Sequence, residues 1–124
     1  MEKLNFQQKI AVLRILLDII NADGRIDERE TFFFNKVSKT LGINEDDRPY
    51  VDEANSLLCV VEIQHFNDEQ KKEFAELMGQ LIVVDEDINI NEMAIYELVC
   101  KTCNISTQFE EVVTEDQLKN SSRS

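Results

Sequence analysis

Apolar residues return along this chain at helical intervals. Val12, Ile15, Leu16, Ile19 and Ile20 fall on one face of a helix, and Phe33, Phe34, Val37 and Leu41 on one face of the next. The same spacing recurs in Phe74, Leu77, Met78, Leu81 and Ile82, and again in Ile95, Tyr96, Val99 and Cys103. Polar residues bracket these stripes. Asn5 and Asn67 read as N-caps, each with a glutamine three residues on, Gln8 and Gln70, suited to a reciprocal capping box. The first helix of each pair is expected to end near Asp23 or Asp85, with Gly24 supplying a left-handed residue in the first pair. The second helix then begins at Asp27 or Asn89 and stops at Gly42 or Asn104, residue types that tolerate the left-handed conformation.

These coincidences amount to a repeat at an offset of 62 residues. Asn5, Gln8, Lys9, Asp23, Ile26 and Glu30 meet Asn67, Gln70, Lys71, Asp85, Ile88 and Glu92. Two helix-corner-helix units follow, about 5–43 and 67–105, expected to pack about a pseudo-twofold axis as an all-α bundle. Between them, residues 44–66 open with an acidic stretch containing Pro49, suited to a loop or a helix first turn, and close with an apolar run. One or two short helices are expected there. A last short helix is expected from Ser106 or Thr107, giving one domain over residues 1–118 and a disordered tail over 119–124.

Composition supports helices and narrows the partners. The 124 residues include only three glycines and one proline, so little interrupts helical segments. A net charge of −12 repels phosphate backbones and anionic lipid, which argues against nucleic-acid binding. The most apolar run, residues 11–20, is broken by Arg14 and Asp18 and is too short to insert in a membrane. An odd count of three cysteines with no apolar leader points to reduced thiols and a cytoplasmic protein. Cations or a protein partner fit this charge, with a monomer or weak homodimer as the expected assembly.

The two corners, "DGRIDERE" and "DEDININE", concentrate the candidate chemistry. Capping alone accounts for part of it. Asp27 and Glu30 have capping-box spacing, Asn89 and Glu92 repeat it, and Ile26 and Ile88 stand at the hydrophobic-staple position. Asp23 and Asp85 are less easily explained, because an anion at a helix C-terminus opposes the dipole. Either each closes an Asx-turn, or a hard cation such as calcium or magnesium gathers corner oxygens. The cation reading names Asp23, Asp27, Glu30, Asp85, Asp87 and Glu92 as ligands. The acidic endpoints are too close together for a twelve-residue EF-hand loop, so ligands would have to come from both units.

Other chemistry is thin, and a non-enzyme is expected. His65, the only histidine, precedes the Asn67 cap and has no nucleophile near it in sequence. Cys100 and Cys103 form a lone C-x-x-C without the strand context of a redox motif. Zinc there would need Cys59 and His65 as well, and Cys103 occupies a core position of the repeat. Phe33 and Phe34 match apolar residues of the second unit, whereas Phe32 matches Ala94 and is expected to be exposed.

Residues 16–43, "LLDIINADGRIDERETFFFNKVSKTLGI", resemble the tellurite-resistance TerB-like family. The pattern is an apolar helix, Ala22-Asp23-Gly24, a short corner with Asp27, Glu30, a second apolar helix and Leu41-Gly42-Ile43. The second unit keeps Asp85 and Glu92 but carries Glu86 and Asn89 in place of the glycine and the corner aspartate. The resemblance spans roughly residues 5–105. It implies an all-helical fold of two related halves, a link to tellurite resistance and chemical stress, and metal chelation at Asp23, Asp27, Glu30, Asp85 and Glu92. The alternative is an acidic helical interaction module whose corners are only capped turns.

Overall fold

A computed structural model of the chain describes residues 3–84, 86 and 88–106. Among these residues six α-helices run in the order α1 (Phe6–Ile20), α2 (Glu28–Thr40), α3 (Arg48–Asp52), α4 (Ser56–Gln64), α5 (Asp68–Val83) and α6 (Ile90–Thr102), with a 3-10 turn over Glu45–Asp47. Among the described residues there is no strand, so the fold is all-α as expected. The helix expected after Ser106 and the tail over 119–124 lie outside the described residues.

Cap chemistry sets the helix starts. Asn5 and Asn67 each accept from the backbone N–H three residues on, at 2.8 Å, and Gln8 and Gln70 accept in return from the cap amides. Helices α2 and α6 stop alike. Gly42 and Asn104 adopt φ of 76° and 58°. The amides of Ile43 and Ile105 then reach back to the carbonyls of Ser38 and Cys100, at 2.9 and 2.8 Å. Both stops are Schellman motifs, with a buried isoleucine sealing each. Helix α1 ends at Ile20, a turn short of Asp23, because Asn21 already caps it and the chain then turns through Gly24 at φ 75°. Glu86 holds the equivalent left-handed conformation, φ 65°, without a glycine's freedom.

Helix α1 is the centre of the bundle and touches all five of the others. Eight of its residues are buried, Val12, Leu13, Leu16 and Ile19 completely. Phe74, Met78, Leu81 and Ile82 of α5 supply the same stripe from the second unit. The connecting stretch resolves into α3, with Pro49 in its first turn, and α4. Arg14 ties both back to α1. Its guanidinium donates to the Asp52 and Val51 carbonyls at 2.8 and 3.3 Å and pairs with Asp18 at 3.2 Å, while Ser56 donates to Asp18 at 2.6 Å. No helix among the described residues is long and apolar enough to cross a membrane.

All three cysteines are free and buried. Burial raises each thiol, that of Cys103 to about 11, so Cys103 is the core residue its place in the repeat suggests. His65 sits at the C-terminus of α4 with Nδ1 2.8 Å from the Val61 carbonyl, a helix-end role. Phe34 is buried, Phe33 is partly buried against the core, and Phe32 is exposed.

Candidate functional site

The two helix corners meet. Asn89 Nδ2, at the start of α6, donates to Asp23 Oδ2 at 3.2 Å, across 66 residues of chain. Asp23 Oδ1 also accepts the Arg25 amide at 2.9 Å, closing the expected Asx-turn. A small polar cavity of about 180 Å³ opens where the corners join, lined by Asp23, Asp27, Glu30 and Asn89 together with Arg25, Arg29 and Ile26.

Asp27 caps α2 by accepting the Arg29 amide at 2.8 Å. Its carboxylate also takes the Arg29 guanidinium, at 3.2 Å to each oxygen, and this bond holds the Asp27 carboxyl below the usual range. Asn89 caps α6 through the amides of Asn91 and Glu92, at 2.8 and 3.1 Å.

Glu30 and Glu92 depart from the expected capping boxes. Neither α2 nor α6 is closed by a box. The two side chains turn inward instead, 2% and 1% exposed. The reason lies in the helical period. Glu30 stands four residues before Phe34 and seven before Val37, on the core stripe of α2, and Glu92 stands likewise before Tyr96 and Val99 on α6. That spacing was the available signal that these glutamates are buried, and the local capping pattern masked it. The isoleucine staples also fail. Ile26 is 73% exposed and Ile88 56%. In the first corner the residue a staple would need, four positions past the cap, is Thr31, which offers no apolar partner.

Of the six residues expected as ligands, Asp23, Asp27 and Glu30 line one cavity, and Glu92 is buried at the same register in α6. Asp85 and Asp87 lie outside the described residues. Among the described residues no group of three or more His, Cys, Asp or Glu stands placed to hold a metal ion. Roomier hollows lie elsewhere. One of about 580 Å³ sits at the C-terminal end of α2, beside Lys39, Asn44 and Arg48. Another, about 460 Å³, is an apolar groove beside Phe6, Tyr50 and Leu58. The first is lined by one carboxylate, Glu45, and the second by Glu62 and the Cys59 thiol.

A family model described as "Tellurite resistance protein TerB" matches residues 1–53, which span α1, the first corner, α2 and α3. The resemblance read from the sequence therefore holds over the first unit. The second unit, where Glu86 and Asn89 replace the glycine and aspartate, lies beyond the match. Among solved structures, a protein of unknown function, PG1108 from Porphyromonas gingivalis W83, is similar at a TM-score of 0.75. It is 23% identical, and the similarity covers 98% of this chain and 99% of that one. That likeness speaks to the fold alone. A comparison with curated proteins gives no match.

Proposed function

For a chain that is TerB-like over residues 1–53, we propose a non-enzymatic role in which one divalent cation bridges the two helix corners. The observation that carries this reading is the pair of buried glutamates at one register, Glu30 and Glu92, in corners that already touch through Asn89 and Asp23. Their carboxyl groups put oxygen donors at equivalent positions of α2 and α6. Hard cations take clustered oxygens, and calcium or magnesium suits a donor set of Asp23, Asp27, Glu30, Asp85, Asp87 and Glu92. A bound cation would clamp α2 and α6 at their N-termini and couple the two units, a device suited to a stress-related or tellurite-resistance-related protein. The second reading is capped corners with no metal. It draws on Asp23, whose two oxygens already accept from Arg25 and Asn89.

Thermal unfolding of metal-stripped protein separates the two. Calcium or magnesium at about a hundred times its dissociation constant should stabilise by about 2.7 kcal/mol, a rise of several degrees. Glu92→Gln should keep the fold and lose the rise. No shift with calcium, magnesium, manganese or zinc would leave the corners as turns.

A further inference from the structure

Helix α4 is apolar on its outer side as well as its inner one. Cys59 and Ile63 face the core and are buried, while Leu57, Leu58 and Val61 are exposed. Leu58 also lines the groove of about 460 Å³, where Phe6 and Tyr50 meet edge-on with centroids 5.4 Å apart. Single exposed apolar residues are ordinary, but a helix that is apolar all round belongs in an interior. The described chain ends beside this face. The Thr102 carbonyl accepts from Gln64 Nε2 at 3.0 Å, and Cys103 Sγ donates to the Val60 carbonyl at 3.5 Å. The end of α6 is thereby fastened to the C-terminal half of α4, and Ile105 just beyond it is buried. Eighteen residues, 107–124, follow in the sequence. Thr107 and Glu110 have capping-box spacing there. Phe109, Val112 and Val113 share one helical stripe, with Glu110, Glu111 and Glu115 off it.

We propose that the chain's own residues 107–118 dock on the outer side of α4, running back along it with Phe109 on Val61 and with Val112 and Val113 on Leu57 and Leu58. The lengths agree. Leu57 to Val61 and Phe109 to Val113 are each about 6 Å of helix rise. Twelve helical residues run about 18 Å, against about 14 Å for the nine residues of α4. Tethering selects this occupant. A segment joined to the chain beside its site is held there at an effective concentration of about millimolar, so a small apolar contact suffices. A separate partner would need a full-sized interface, and a second copy carries the same net charge of −12. The inference does not rest on the cation reading, because neither α4 nor residues 107–118 belong to the helix corners.

Thiol labelling of the full chain with a maleimide reagent tests this docking. Leu57→Cys is compared with Phe32→Cys, because the helices leave the two positions alike open, 78% and 73% exposed. The three native cysteines are buried and serve as reporters of an intact bundle. Leu57→Cys should react about tenfold more slowly than Phe32→Cys, since a docked segment shields it except during local opening. Adding Phe109→Ser and Val113→Ser should remove that difference while the native thiols stay unmodified. Equal rates at the two positions in the otherwise unaltered chain would overturn the proposal. So would slow labelling of Leu57→Cys that survives the two serine substitutions. Slow labelling that vanishes on dilution, with a dimer in sedimentation, would overturn it too, because a second copy would then be the cover.

Discussion

Phe74→Ala should cost about 3–5 kcal/mol of stability, the largest effect expected of any single substitution considered for this protein. The ring is wholly buried on α5, facing the core that α1 organises, and it meets Phe66 edge-on with centroids 6.5 Å apart. Truncation removes the apolar transfer energy, leaves a cavity in a close-packed interior and forfeits the aromatic contact. Chemical denaturation should show the midpoint falling with little change in slope, and the melting temperature should drop by about ten degrees or more. Phe32→Ala is the matching control. That ring is exposed, and its loss should stay within about 0.5 kcal/mol. Equal effects at the two positions would mean that the core has been assigned to the wrong face of the helices.

Arg14→Met should cost about 2–3 kcal/mol, although it makes the α1 surface more apolar. Methionine keeps much of the side-chain bulk but none of the donors. The carbonyls of Val51 and Asp52 would lose their partner, and Asp18 would keep only the Ser56 hydroxyl. The Asp52 carbonyl is open to solvent, but the bonds to Val51 and Ser56 are part-buried and the Arg14 and Asp18 side chains are each 23% exposed, so solvent replaces those bonds poorly. Because Arg14 fastens α3 and α4 to α1, hydrogen exchange should rise first in α3 and in the N-terminal turn of α4. A uniform rise across the bundle would argue that the arginine serves only its own helix.

The helices themselves were legible because their signals are local. Apolar spacing, the Asn5 and Asn67 boxes and the stops at Gly42 and Asn104 act within a turn or two of chain, and each was found where the sequence placed it. The bonds that assemble the corners are not of that kind. Nothing within a few residues of Asn89 indicates that its amide meets Asp23, and nothing near Arg14 names Val51, Asp52 and Ser56 as its partners. Glu30 and Glu92 show two local codes in conflict. The capping-box spacing points them to the helix ends, while the helical period points them inward, and burial of the stripe that they share with Phe34 and Tyr96 decided the matter. Ile26 and Ile88 failed as staples for the converse reason. The cap pattern was present, but both side chains stand open to solvent instead of packing on the following turn.

The bridging of both corners by one cation is tested most directly by adding manganese to isotope-labelled, metal-stripped protein and following amide broadening by NMR. Paramagnetic broadening is confined to the neighbourhood of the bound ion. A shared site should quench residues 23–30 and 88–92 together, at the same fraction of an equivalent, and excess calcium or magnesium should restore them. Broadening that reaches one corner without the other, or that spreads evenly over acidic side chains elsewhere on the bundle, would contradict a bridging cation and leave the corners as capped turns.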